Sequence, residues 1–134
     1  MSSTATALAG FAAWLLALTL VLAFYRLYYG ASTGKAVNSF APDGSDTPGL
    51  GRRLTRARDN CFETLPVFAA LGVAAQISGR LDVTDGLAMW VLYARFGQSI
   101  THVISTAQPA VLLRASLFVV QLVIYSYWAI RLLG

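Results

Sequence analysis

The chain has 134 residues, of which 57% are hydrophobic and only 12% are charged. A typical soluble domain has roughly 45–50% apolar and about 25% charged residues, so this chain lacks the charge to give a globule a hydrated surface. One cysteine and one histidine exclude a disulfide framework, and no metal site is expected. Basic residues cluster near one loop, without the basic stripe of a nucleic-acid-binding domain, so no nucleic-acid partner is expected.

Four apolar stretches predict an all-α integral membrane protein. A helix needs about 20 apolar residues to cross the ~30 Å hydrocarbon layer of a bilayer. The predicted spans are residues 8–29, 54–78, 84–106 and 110–132, within a single domain of residues 1–134. The first span has no basic n-region and exceeds the roughly 7–15 apolar residues of a signal peptide, so a cleaved leader is the less favoured alternative.

The links between the spans predict their arrangement and orientation. Residues 30–51 form a long polar loop, whereas the links near 79–83 and 107–110 are short and require antiparallel neighbours in an up-down four-helix bundle. Six of the ten basic residues lie on or beside the first loop, so the positive-inside rule places that loop in the cytoplasm. Both termini are then expected on the other side. An Ala-rich chain without a visible sorting signal favours a bacterial inner membrane, with periplasmic termini.

Polar side chains interrupt the second and third spans at helical spacing. Residues three, four or seven positions apart share one face of a helix, and ionisable residues inside a membrane usually face a bundle interior or a wet cavity. The two sets are Arg56, Asn60 and Glu63 on the second span, and Arg95, Gln98 and His102 on the third. Together they predict a pocket that opens towards the cytoplasm.

The depths of two of these charges predict an ion pair. Glu63 lies roughly 13 Å and Arg95 roughly 16 Å from the cytoplasmic ends of their helices, at 1.5 Å per residue. We therefore expect them to pair, within one subunit or between subunits. The alternative is that the polar residues only hold the helices together through buried hydrogen bonds. For Arg56 and Asn60 we favour ligand contact, whereas for His102 helix packing is an equal alternative.

The string RARDNCFETLPVF, residues 56–68, resembles the signature of the MAPEG family, the membrane-associated proteins in eicosanoid and glutathione metabolism. The family pattern R-A-x-x-N-x-x-E-x-x-P-x-F falls on Arg56, Ala57, Asn60, Glu63, Pro66 and Phe68. The third span adds a segment similar to the aromatic-Ala-Arg sequence of the family, at Tyr93, Ala94 and Arg95. The length, the four spans and the long first loop also fit, so the resemblance covers essentially the whole chain.

The resemblance implies a homotrimer that binds glutathione between subunits near the cytoplasmic leaflet. Glutathione would be a co-substrate, and the other substrate would be a hydrophobic electrophile or a lipid hydroperoxide dissolved in the bilayer. The second-span Arg, Asn and Glu of the family hold the tripeptide, and an Arg fork suits a carboxylate. The glutathione-binding candidates are Arg56, Asn60, Glu63, Arg95, Gln98 and His102.

Departures from the family pattern leave two functions open. Leukotriene-synthase-like members carry a tyrosine directly after the signature Glu, where this chain has Thr64, and an arginine at the cytoplasmic end of the third span, where it has none. Arg114 or His102 is then the candidate group for activating the thiol. A glutathione transferase or peroxidase is favoured, and the alternative is a non-catalytic MAPEG-like protein that binds a lipid or activates a partner. A channel subunit has no filter-like ring to support it.

Overall fold

A computed structural model describes residues 1–47 and 49–134, and the described chain contains helices but no β-strand. The four α-helices are α1 (Ser3–Thr33), α2 (Leu50–Ile77), α3 (Leu81–Ile104) and α4 (Gln108–Leu133). A short 3₁₀ helix, Val37–Ser39, lies in the loop between α1 and α2. Pro48, which belongs to the predicted first loop, lies outside the described residues.

Capping residues, and not the limits of the apolar run, set the two ends of α1. α1 begins before the predicted residue 8, because the Ser2 side chain accepts a hydrogen bond from the backbone N–H of Ala5 at 3.0 Å. It ends at Gly34, whose positive φ of 77° closes the helix in the left-handed conformation. At 31 residues, α1 is about 46 Å long, well above the ~30 Å hydrocarbon layer.

The helices alternate in direction and pack around an aromatic centre. α1 packs against α2 and α3, and α4 packs mainly against α3, with a smaller contact to α2. Phe68 of α2 is fully buried at the junction, where its ring lies 5.6 Å from that of Phe11, 6.0 Å from that of Tyr125 and 5.7 Å from that of Trp128. These rings join α1, α2 and α4, so the core lies at the level of the second half of α2.

Three of the four helices are long and apolar enough to cross a membrane: α1, α2 and α4. Only 22%, 28% and 17% of their most apolar windows, respectively, are buried within the chain, so most of their apolar side chains need lipid or another protein around them. α3 lacks an equally apolar stretch of this length, because polar and charged side chains, among them Asp82, Asp85 and Arg95, interrupt it. The helical, apolar architecture is that of an integral membrane protein.

The two ends of the bundle differ in charge. One end, here called the basic end, holds the loop between α1 and α2, the beginnings of α2 and α4, and the end of α3. There the Arg53 Nε donates to the carbonyl oxygen of Val103 at 2.7 Å, which satisfies an acceptor in the last turn of α3. At the opposite end, the Asp85 carboxylate accepts from the backbone N–H of Thr4 at 2.9 Å and ties α3 to the beginning of α1.

The loop between α1 and α2 folds back onto the basic end. Lys35 and Asp46 form an ion pair of 3.0 Å, and the backbone N–H of Ala41 donates to the same carboxylate at 2.9 Å. Gly51, in the first turn of α2, allows the loop and α1 to lie close, because a Cβ there would lie 2.7 Å from the hydroxyl oxygen of Thr47 and 2.5 Å from a ring carbon of Tyr25. The loop therefore has a defined structure beside the polar side chains described next.

Candidate functional site

A polar cavity of about 510 Å³ opens between α2, α3 and α4 towards the basic end. Six of the seven residues predicted to bind or activate a ligand line it: Arg56, Asn60, Glu63, Gln98, His102 and Arg114. Its wall also includes two acidic residues, Asp43 and Asp59, and an apolar strip on α4 formed by Val111, Ala115 and Phe118. The cavity thus joins cationic, anionic and apolar surfaces, which suits a zwitterionic ligand attached to an apolar group.

The seventh predicted residue, Arg95, does not line the cavity but lies behind it. Its side chain is 0% exposed, and it donates to Asn60 Oδ1 at 2.8 Å and to Thr64 Oγ1 at 2.6 Å. Its guanidinium carbon lies 5.2 Å from the centre of the Phe11 ring, a cation–π distance. Arg95 is therefore positioned to orient Asn60 rather than to contact a ligand in this cavity.

The predicted ion pair between Glu63 and Arg95 does not form within the single chain, in the part that the structure describes. Asn60 and Thr64 are four residues apart and share the face of α2 that meets Arg95, whereas the exposed Glu63 lies about 100° from Thr64 around the helix. The Thr64 hydroxyl and the Asn60 amide accept the hydrogen bonds of Arg95 that the Glu63 carboxylate was expected to accept. Pairing between subunits stays a prediction.

The hydrogen bonds around Asn60 fix the direction of its amide. Its Oδ1 accepts from both Arg95 and the Nε2 of Gln98, the latter at 2.7 Å. Because a guanidinium can only donate, the atom facing Arg95 must be the oxygen, not the nitrogen. The amide Nδ2 of Asn60 is then left to donate to a ligand in the cavity.

Gln121 of α4 extends this network and was missed by the sequence reasoning. It is fully buried, and its Nε2 donates to Gln98 Oε1 at 2.8 Å. The available signal was a single amide residue within the uncharged apolar stretch of the fourth span, and such residues commonly bond across helices. A continuous chain of hydrogen bonds therefore runs from Thr64 through Arg95, Asn60 and Gln98 to Gln121.

Two basic side chains of the cavity wall, Arg114 and His102, each have a buried nitrogen atom without a hydrogen-bond partner in the described part of the chain. Arg114 Nη1 and His102 Nδ1 are buried and have no hydrogen-bond partner within residues 1–47 and 49–134. A buried polar atom without a partner is costly, so these two nitrogens are natural contacts for a polar ligand. His102 is 8% exposed, and it lies between Arg56 and Arg114 in the cavity wall.

Cys61 is fully buried beside Asn60 in the core of the bundle. Among the described residues, no group of three or more histidine, cysteine, aspartate or glutamate side chains could hold a metal ion.

Comparison with protein families matches residues 4–134 to the MAPEG family model. The chain belongs to the MAPEG family. This match confirms the resemblance and its extent over nearly the whole chain. No curated protein and no solved structure gave a match.

The MAPEG signature residues of this chain divide between two environments. Arg56, Asn60 and Glu63 line the polar cavity, whereas Phe68 lies in the aromatic core. Thr64, the position at which synthase-like members carry a tyrosine, lies behind the cavity, where its hydroxyl accepts a hydrogen bond from Arg95.

Proposed function

We propose that the protein is a membrane-bound, glutathione-dependent transferase or peroxidase acting on hydrophobic electrophiles or lipid hydroperoxides. The observation that carries this proposal is the polar cavity, which brings the signature residues Arg56, Asn60 and Glu63 together with Arg114 and His102. Membership of the MAPEG family supports a glutathione-related activity. The apolar strip on α4 and the surrounding bilayer suit the hydrophobic second substrate.

Each end of glutathione has a complementary group in the cavity. The Arg56 guanidinium binds a carboxylate through two parallel hydrogen bonds, and the Asn60 Nδ2 donates to a further oxygen. The Glu63 carboxylate accepts from the ammonium group. Gln98 and Arg95 hold Asn60 in place from behind.

The unbonded nitrogen of Arg114 is the candidate group for lowering the pKa of the glutathione thiol, since a nearby cation favours the thiolate. His102 is the second candidate, because it lines the same cavity and its Nδ1 has no hydrogen-bond partner among the described residues. In the transferase reaction, the thiolate attacks an electrophilic carbon, a C–S bond forms, and the leaving group departs with its electron pair. In the peroxidase reaction, glutathione reduces a hydroperoxide to an alcohol, and a second glutathione completes the disulfide and releases water.

The membrane arrangement belongs to the same proposal. α3 has 24 residues, or about 36 Å of helix, which is enough to cross the hydrocarbon layer as the fourth span of a single domain. The positive-inside rule places the basic end in the cytoplasm and both termini outside, in the periplasm if the membrane is a bacterial inner membrane. A homotrimer would cover apolar faces of the helices that one chain leaves exposed, and would enclose the exposed side of Arg56 and Glu63.

The test is glutathione binding and turnover by the purified protein in an uncharged detergent. Titration with glutathione should give a thiolate absorbance, and addition of a chlorinated nitroaromatic electrophile should give a conjugate. Arg56→Ala should weaken binding by about tenfold or more, since it removes a charge-assisted hydrogen bond worth about 1.5–3 kcal/mol. Arg131→Ala, at the opposite end of the bundle, is the matched control and should bind as the wild type does.

A non-catalytic lipid-binding or activating protein is the second candidate. A separate cavity of about 570 Å³ between α1 and α2, lined mainly by Leu15, Leu16, Phe62 and Leu65, favours an apolar ligand. At Thr64, where synthase-like members carry a tyrosine, the hydroxyl already accepts a hydrogen bond from Arg95. If the purified protein gives neither thiolate absorbance nor conjugate with either substrate class, the transferase and peroxidase proposal is wrong and this candidate replaces it.

A further inference from the structure

A second polar space, here called the basic crevice, opens beside the polar cavity at the basic end. Its volume is about 190 Å³, and its basic side chains are those of four arginines and one histidine: Arg52, Arg53, Arg56, Arg114 and His102. No carboxylate is among its described lining residues. In this it differs from the neighbouring cavity, where three acidic side chains accompany the cations.

Four arginines around so small a space favour the binding of an anion. Like charges that converge on a small, partly desolvated space repel one another, and a bound anion reverses the sign of that interaction. The protein supplies only one partner to these groups in its described part, the Val103 carbonyl that accepts from Arg53 Nε. Arg114 Nη1 and His102 Nδ1 stay buried and unbonded there, and His102 is more than nine-tenths buried.

The backbone at the crevice adds to the attraction for an anion. Gly49, the N-cap of α2, lines the crevice, and so does Thr106, which precedes Ala107, the N-cap of α4. Neither N-cap residue makes a side-chain hydrogen bond to the first turn of its helix in the described structure. The positive end of the α2 dipole therefore lies beside the arginines, and α4 begins two residues after Thr106.

The position of the crevice along the bundle indicates which anion is within reach. α2 has 28 residues, or about 42 Å of helix, against a hydrocarbon thickness of ~30 Å. The first turns of α2, which carry Arg52, Arg53 and Arg56, therefore extend into the headgroup layer, where lipid phosphates lie. Guanidinium groups match the oxygens of a phosphate with paired hydrogen bonds, and several can share one phosphate.

We propose that the basic crevice binds a phosphate group, carried either by an anionic lipid headgroup or by a free phosphate. This goes beyond the proposed glutathione site, although Arg56, His102 and Arg114 form a wall common to both spaces. Arg52 and Arg53 belong to the crevice alone, so they separate the two sites experimentally.

The test uses the full-length protein in an uncharged detergent, with Arg52→Gln as the variant. Arg52 is exposed and makes no hydrogen bond within the described residues, so its substitution should leave the fold intact. The matched control is Arg131→Gln, an exposed arginine at the opposite end of α4. Binding is measured calorimetrically with inorganic phosphate at constant ionic strength, with dioctanoyl phosphatidic acid, and with dioctanoyl phosphatidylcholine. Glutathione binding is measured in parallel.

Arg52→Gln should weaken the binding of phosphatidic acid or inorganic phosphate about tenfold, the loss expected for one charge-assisted hydrogen bond. Arg131→Gln should bind both as the wild type does, and glutathione affinity should not change in either variant. Saturable binding of phosphatidic acid alone identifies a lipid headgroup as the source, and saturable binding of inorganic phosphate identifies a free phosphate.

Three results would overturn the proposal. In the first, the wild type binds neither phosphate ligand more tightly than phosphatidylcholine or chloride. In the second, Arg131→Gln loses as much affinity as Arg52→Gln, which would indicate general attraction between a basic protein and an anion. In the third, Arg52→Gln weakens glutathione as much as phosphate, which would make the crevice part of the glutathione site.

Discussion

Replacing Asn60 by aspartate should weaken ligand binding while leaving the free energy of unfolding nearly unchanged. The substitution keeps the shape of the side chain and keeps an acceptor for Arg95 and Gln98, which donate to Oδ1 at 2.8 Å and 2.7 Å. It replaces the Nδ2 donor, which is directed to the cavity, by a second oxygen. It also gives the buried Arg95 a carboxylate partner, which it lacks within the described chain.

The expected magnitudes follow from these contacts. A carboxylate that accepts from a guanidinium forms a stronger hydrogen bond than an amide does, but a new buried charge costs desolvation energy of similar size. We therefore expect the free energy of unfolding to change by less than about 1 kcal/mol, which is a few degrees in Tm. Binding of an anionic ligand should weaken by about 1.5–3 kcal/mol, or roughly ten- to a hundredfold, because a donor becomes a negatively charged acceptor.

The assay is thermal unfolding of the detergent-solubilised protein alongside calorimetric titration with glutathione. Asn60→Ala is the comparison, since it removes the acceptor as well and should lower both Tm and affinity. If Asn60→Asp binds glutathione as tightly as the wild type, the Nδ2 does not face the ligand. If it unfolds as easily as Asn60→Ala, the acceptor role assigned to Oδ1 is wrong.

Three further predictions concern the surroundings of the site. Gln121→Leu should lower the stability by about 1–3 kcal/mol, because the acceptor on α3 that it serves is left buried without a donor. Gly51→Ala should cost about 1–3 kcal/mol by thermal unfolding, because its Cβ would lie 2.5 Å from the Tyr25 ring. Asp46→Asn should leave Tm nearly unchanged but speed tryptic cleavage after Lys35, its 3.0 Å ion-pair partner, since a partly exposed pair within one loop contributes little to global stability.

The contact between Asp46 and Lys35 should be lost at acidic pH and not at neutral pH. The Ala41 N–H, followed by Lys35, holds the pKa of Asp46 below its ordinary value, against the opposing effect of desolvation. A lowered folded-state pKa means that the stabilising contact is present at neutral pH and is lost only as the pH falls through that lowered pKa. Cleavage after Lys35 that is equally fast in wild type and Asp46→Asn at neutral pH would contradict this account.

Gly51→Ala and Gln121→Leu each have a control at a position that lacks the contact being tested. Gly86→Ala on α3, where a Cβ would meet nothing within 4 Å, should unfold like the wild type. Ser126→Ala on α4, an exposed residue bonded only to its own helix, should likewise leave Tm unchanged. Equal losses in a variant and its control would mean that the local contacts do not determine the effect.

The sequence by itself determined the class of protein, its family and several of the residues that line the polar cavity. Apolar runs as long as a bilayer is thick have few stable alternatives to membrane helices, and the signature string of residues 56–68 identified the family that the whole-chain comparison confirms. Helical spacing placed Arg56, Asn60 and Glu63 on one face, and these three residues do line one cavity. Such features depend on local periodicity, which the order of residues encodes directly.

Only the tertiary structure decided which polar residue meets which. Glu63 and Arg95 were expected to lie at the same depth in the membrane. Whether two side chains meet also depends on the rotation of each helix about its axis. In the structure, α2 is rotated so that Asn60 and Thr64, and not Glu63, face Arg95. Gln121 joined the network from α4, nearly sixty residues after Thr64, because helix packing brought it against Gln98. The basic crevice arose in the same way, from the meeting of the beginnings of α2 and α4 with the end of α3. Spacing along one helix cannot specify these contacts, because they depend on how each helix is rotated against its neighbours.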